Sequence, residues 1–205
     1  MSRLVSPIFI SVDVEVTDPD PAFGQLMQVG MASELGETII VNLPVTTSAQ
    51  VSDWVRANQG PLLAACWEIA SFGVETSRNS AAVDLVAWVW KQKHDFAEKL
   101  DVNVSNVEAV FVAYCGGMDW EFTSRLFAEA HQPNPFNYEF VEISSLAIGR
   151  LNFPWGFTEA ALEQHLCVAS LLPELKHNAL NDARHQLELF QLLYYKNVHE
   201  TGGGS

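Results

Sequence analysis

The nine residues from Ile8 to Val16 read IFISVDVEV, with Ile8, Ile10, Val12 and Val14 on one face of an extended chain and Phe9, Ser11, Asp13 and Glu15 on the other. A period of two predicts a strand, and Pro19 and Pro21 then force a loop. Gln25 to Ala32 and Thr38 to Leu43, separated by Gly36, predict a hairpin that has this first strand as its neighbour. Residues 48 to about 100 are mostly helical in pattern. Pro61 stands at a first helical position, and Ser80 stands ahead of a long apolar-periodic run through Leu100. Glu108 to Ala113 predicts a buried strand, Met118 to Ala130 a helix and Tyr138 to Ile143 a further strand. Thr158 to Leu166 predicts a short capped helix, and Asn178 to about Asn197 a closing one. Strands first, then helix and strand in alternation, predict an α/β fold with a mixed five-stranded sheet.

At 205 residues with 48% hydrophobic content, the chain can bury one sizeable core and is too short to expect two. Residues 1–199 are therefore read as one domain, and residues 200–205, ending in TGGGS, as a flexible tail or appended linker. No apolar run reaches the roughly 18 residues a membrane span needs, and no leader pattern opens the chain, so a cytoplasmic protein is expected. Cys66, Cys115 and Cys167 are odd in number, widely spaced and without a CxxC pair, which suits a reducing compartment. The formal net charge of −14 argues against a protein that grips long nucleic acid electrostatically, because that mode needs many Lys and Arg against phosphates.

Asp13 and Glu15 leave the same strand face a few ångströms apart, and two adjacent carboxylates repel unless a cation lies between them. Hard oxygen donors suit Mg²⁺ or Mn²⁺ better than zinc. Alone, such a pair also fits an acidic strand end facing solvent. Asp119 opens a helix whose apolar line continues through Phe122, Leu126 and Ala130, so it points along the buried face; an ordinary first-turn Asp fits too. Asp182 begins the corresponding line in the last helix, continued by Gln186, Leu189 and Leu193. His177 precedes Asp182 by five residues, about 500° of helical turn, so it is expected in the loop before that helix, reaching over the site Asp182 faces. A histidine can take a proton from water near neutral pH, although a surface His with no such role is common.

In order and together, these residues resemble the DEDDh, or DnaQ-like, exonuclease family, which has a ribonuclease H-like fold. Its first motif, an apolar strand ending D-x-E, is matched by FISVDVEVT from Phe9 to Thr17. Its second, a strand, a loop and an Asp opening a helix, is matched by VFVAYCGGMDWEF from Val110 to Phe122. Its third, H-x-A-L-x-D-A, is matched by HNALNDA from His177 to Ala183. The resemblance spans residues 7 to about 195. It implies a 3′-5′ exonuclease acting on single-stranded or short DNA or RNA 3′ ends. Two Mg²⁺ or Mn²⁺ ions would be held by Asp13, Glu15, Asp119 and Asp182, with His177 as general base, and a homodimer is common among relatives. Members often carry Thr directly after the first-motif Glu, Asn four residues before the second-motif Asp and Phe directly before it. Here Val16 stands in the first place with Thr17 after it, and Cys115 and Met118 in the others, so Val16, Thr17 and Met118 are the expected substrate contacts.

Met118, Trp120, Trp155 and Phe157 are the aromatic or soft side chains nearest the motifs, and core packing is the role expected for each. The segment Pro44 to Leu100 carries Trp54, Trp67, Trp88 and Trp90, and nothing in the sequence assigns it a chemical role beyond helix packing or a dimer contact. Two other functions share the acids. One is an idle binding module that recognises a partner or nucleotide in the same cleft, and the other is a hydrolase of small or cyclic oligonucleotides.

Overall fold

The computed structural model describes residues 5–195; the tail at 200–205 and the expected end of the last helix near Asn197 lie outside the described residues. Five strands form the sheet: β1 (Ser6–Val16), β2 (Leu26–Ser33), β3 (Thr38–Asn42), β4 (Val107–Ala113) and β5 (Phe140–Glu142). Their order is β3-β2-β1-β4-β5. β2 runs antiparallel to β1 and to β3, whereas β4 runs parallel to β1 and to β5. β1 is thus central, paired on both edges, and its alternation serves two cores rather than one core and solvent.

Ile8, Ile10, Val12 and Val14 pack with Leu85, Val89, Phe122 and Leu126 under α3 (Val74–Leu100) and α4 (Gly116–Glu129). On the opposite face Phe9 and Val112 pack with Leu162, Leu189, Phe190 and Leu193 under α6 (Glu159–Leu166) and α7 (Ala179–Tyr195). A third, smaller cluster of Met27, Val45, Val55, Leu63 and Cys66 fastens α1 (Asp53–Asn58) and α2 (Gly60–Ala70) to the sheet. Thr158 caps α6 by accepting from the Ala161 N–H at 3.3 Å, and Pro61 lies in the first turn of α2. The N-terminus of α7 is seated by two features of β2. Gln28 Oε1 accepts from the Ala179 N–H at 2.9 Å, and Gly30 leaves room where a Cβ would fall 2.2 Å from the Ala179 carbonyl carbon.

Three boundaries differ from those the pattern predicts. α3 begins at Val74 rather than after Ser80, because its first two turns are mostly polar and its buried residues begin only at Ala81. β5 is only three residues long, and Ile143, read as strand, instead opens α5 (Ile143–Leu151), a helix that follows the strand without a loop and whose Ile143 and Ala147 are buried. Within 48–72 the helical pattern is split at Gln59, which ends α1 and precedes α2. Among the described residues no helix is long and apolar enough to cross a membrane.

Candidate active site

The acids come from three elements. Asp13 and Glu15 lie on β1, opposite Gly30 and Gln28 of β2, and the register shifts between Glu15 and Val16. Asp119 sits in the first turn of α4, 2% exposed, with Oδ1 accepting from the Val14 N–H at 3.2 Å; the β1 backbone therefore fixes its carboxylate between its two β1 neighbours. Asp182 sits in the first turn of α7, where Oδ2 accepts from the Asn178 N–H at 3.2 Å. Carboxylate oxygens of Asp13, Glu15 and Asp182 lie within 4.8 Å of one another. Asp119 stands behind this group, close enough that its charge raises the Asp13 pKa.

Two glutamines hold the acids. Gln186, one helical turn beyond Asp182, donates from Nε2 to Asp13 Oδ1 at 2.7 Å and accepts from the Tyr114 N–H at 3.2 Å. Gln59, 4% exposed at the break between α1 and α2, donates from Nε2 to Glu15 Oε2, and its own Oε1 is buried without a partner. Only Gln186 was visible in the sequence, as part of the line beginning at Asp182; nothing ties Gln59 to Glu15 at a separation of 44 residues.

Burial, with the charges of Asp119, Glu15 and Asp182 added, pushes Asp13 well above the usual carboxylate range, against the Gln186 hydrogen bond. Burial pushes Glu15 up to about 7 and Asp119 up to about 8. Asp182 is raised less, again by burial, and the neighbouring His177 opposes the rise. Four carboxylates so placed do not all ionise at neutral pH on their own. An all-oxygen donor set under this electrostatic pressure fits a hard divalent cation, which would relieve the repulsion.

His177 lies in the loop before α7, exposed, with φ 60°, and its ring meets the edge of Trp54 at 4.7 Å between centroids. It stands at the junction of two cavities. One, of about 310 Å³, is an open cleft over the acids, bounded by Tyr114, Glu159 and Lys176. The other, of about 320 Å³, is apolar and bounded by Val16, Pro19, Trp54, Val55 and Met118. Of the expected substrate contacts, Val16 and Met118 line this apolar cavity. Thr17 does not: it is fully buried, and its hydroxyl accepts from the Gln25 N–H at 2.9 Å, closing the loop after β1.

Trp120 packs as expected, stacked on Phe140 at 5.6 Å, and Phe157 is half-buried against Phe153 at 4.7 Å. Trp155 departs from the expectation of core packing, being 91% exposed, since Phe153 and Phe157 anchor its loop and Gly156 turns it outward at φ 78°. Trp54, from the segment without an assigned role, proves to be a wall of the apolar cavity.

The order and direction of the strands and the helices that flank them are the fold of solved DEDDh exonucleases. In sequence the chain is similar to the 3′-5′ DNA exonuclease Cap18 of Escherichia coli, 27% identical over 195 residues that cover 93% of this chain and 94% of that protein. No family model matches it. Among solved structures, the nuclease domain of 3′hExo, a DEDDh family member bound to rAMP, aligns with TM-score 0.56 at 13% identity over 90% of this chain and 91% of that one. E. coli Exonuclease I in complex with a dA16 oligonucleotide aligns with TM-score 0.61 at 12% identity, over 95% of this chain and 42% of that longer one.

Proposed function

We propose that this chain is a metal-dependent 3′-5′ exonuclease that removes single nucleotides from the 3′ ends of single-stranded or short nucleic acid. The observation that carries the reading is the convergence of Asp13, Glu15 and Asp182 oxygens within 4.8 Å, beside an apolar cavity that shares Glu15, Met118 and His177 with the acidic cleft. The full-length likeness to a DNA exonuclease makes single-stranded DNA the first substrate to test. The three free cysteines support a cytoplasmic setting.

Asp13, Glu15, Asp119 and Asp182 would hold two Mg²⁺ or Mn²⁺ ions, which when bound supply Lewis acidity at the scissile phosphate. His177 takes the proton from the attacking water as its oxygen joins phosphorus and the bond from phosphorus to the 3′ oxygen breaks. A nucleoside 5′-monophosphate leaves, and the freed 3′ oxygen takes a proton from solvent to become the new 3′ hydroxyl of the strand. Gln186 and Gln59 hold Asp13 and Glu15 in the orientation that faces the phosphate. Trp54, Val16 and Met118 offer the terminal base an apolar seat, so binding draws on stacking rather than on positive charge, which a chain of net charge −14 lacks.

A panel of end-labelled single-stranded DNA, single-stranded RNA, dinucleotides and duplexes with Mg²⁺ or Mn²⁺ tests this reading. Stepwise release of 5′-monophosphates from the 3′ end of single strands, absent in Asp13→Asn, is expected. Release from the 5′ end, or full turnover in Asp13→Asn, would refute it. Turnover confined to dinucleotides would favour the small-substrate hydrolase, and binding without cleavage the idle module.

A further inference from the structure

Beyond the four acids, a second cluster of donor atoms lies on the far wall of the cleft. Glu159 and Glu163, one turn apart on α6, and His185 on α7 bring their donor atoms within 4.8 Å of one another. Glu163 and His185 are 2% and 6% exposed, and His185 Nε2 lies 2.7 Å from Glu163 Oε1. The second Glu163 oxygen accepts from the Ser170 hydroxyl. Glu159 is half-buried and lines the cleft, and among the described residues its carboxylate accepts no hydrogen bond.

A Glu163–His185 pair alone would be complete as a hydrogen-bonded ion pair. Glu159 makes it incomplete, because it sets a second carboxylate beside the pair and Asp182 a third, against which only His185 and the exposed Lys176 act with opposite sign. Burying unbalanced charge is expensive. A separate observation points the same way: Tyr114 Oη is buried and has no hydrogen-bond partner. Burial pushes that phenol up to about 12, and the charges of Glu159, Cys115 and Glu163 add to the rise.

We propose that Glu159, Glu163 and His185 form a second cation site, for a borderline transition-metal ion of the Zn²⁺ type, which clamps α6 to α7 at the wall of the cleft. Imidazole with two carboxylates is a zinc-type donor set, unlike the all-oxygen group around Asp13 that suits Mg²⁺ or Mn²⁺. With bonds of roughly 2.1 Å, donors around a tetrahedral ion stand roughly 3.4 Å apart. The donor atoms all lie within 4.8 Å of one another, and the pair at 2.7 Å has to open slightly to reach that separation. The proton shared by His185 and Glu163 gives way to the ion, Glu159 swings in from the cleft side, and Ser170 keeps Glu163 oriented from behind. The clamp stands whether or not the chain is a nuclease, since none of its donors belongs to the set around Asp13.

The test uses the full chain with Asp13→Asn and Asp182→Asn, which disables the first cation site, and titrates it with Zn²⁺ alone by calorimetry and with Co²⁺ by visible absorption. One equivalent of Zn²⁺ is expected, with a cobalt spectrum of low coordination number. Glu159→Gln, a half-buried change that spares the buried pair, should weaken binding at least tenfold, and His185→Gln should abolish it while circular dichroism reports the fold intact. Absence of Zn²⁺ binding in the Asp13/Asp182 background would overturn the proposal. So would an affinity unmoved by Glu159→Gln, since the ion would then reside elsewhere.

Discussion

Raising the pH should destabilise this protein when it is stripped of metal, and Glu15 sets the scale. Its carboxyl ionises near 4.5 in an unfolded chain and only near about 7 when folded, because burial outweighs the hydrogen bond from Gln59. The folded state is thus favoured while Glu15 stays protonated. That advantage is whole below 4.5 and is lost as the pH climbs through about 7. At 1.36 kcal/mol per pH unit the loss is about 3 kcal/mol, of which about 2.5 falls between roughly pH 5 and pH 8. For a chain of 205 residues this lowers Tm by roughly 5–10 °C. Asp13 and Asp119, raised from the same cause, steepen the fall. Thermal melts in EDTA at stepped pH should show this decline. Glu15→Gln should flatten it by the Glu15 share, and saturating Mn²⁺ should flatten it further by favouring the ionised acids. A metal-free Tm that holds level or rises from pH 5 to pH 8, with Glu15→Gln superimposable on the parent, would refute the reasoning.

Asp13→Ala or Asp182→Ala should abolish strand degradation in a folded protein, and normal turnover in either variant would sink the two-metal reading. His177→Ala should lower kcat by roughly 10²- to 10⁴-fold, while calorimetry finds metal affinity little changed; a full rate there would mean that His177 takes no proton. Gln59→Leu and Gln186→Leu should each weaken Mn²⁺ binding by roughly 10- to 100-fold, with activity restored at high Mn²⁺, and titrations matching the parent would assign both glutamines a packing role only. Affinity for oligonucleotides should depend weakly on salt, with a logarithmic slope reflecting about one to three phosphate contacts. A steep slope, together with affinity that keeps rising with strand length, would show that a charged surface supplies the binding.

The acids were legible because two short-range rules place them: alternate strand residues share a face, and first-turn residues of a helix lie at its end. Those rules put Asp13 and Glu15 on one face and Asp119 and Asp182 at helix ends, but each alone also fits an ordinary surface role, and only their order along the chain, through its resemblance to known motifs, joined them with His177 into one expected site. Gln59 and Trp54 follow from neither rules nor motifs, since they reach the site only through the packing of Val55 and Leu63 on Met27, a contact made between distant parts of the chain. α5 escaped notice because Ile143 suits a strand end as well as a buried first helical turn, and a three-residue β5 gives too little alternation to mark the change. Trp155 and Thr17 misled in opposite senses. A large aromatic suggested core where a Gly turn holds it in solvent, and a hydroxyl beside a motif suggested a ligand contact where it closes a loop.

Gln186 and Asp13, bonded across the cleft, stand 173 positions apart, so the site joins one of the first elements of the chain to the last described helix. A chain emerging from the ribosome carries Asp13, Glu15 and Asp119 long before it carries Asp182, and those three lack the fourth acid, the histidine and the glutamine that orients Asp13. The activity proposed here would accordingly switch on only when α7 docks, leaving the half-made chain harmless to nucleic acid around it. Any lesion that loosens α7 from β2, a methyl added at Gly30 among them, would return the finished protein to that inert state.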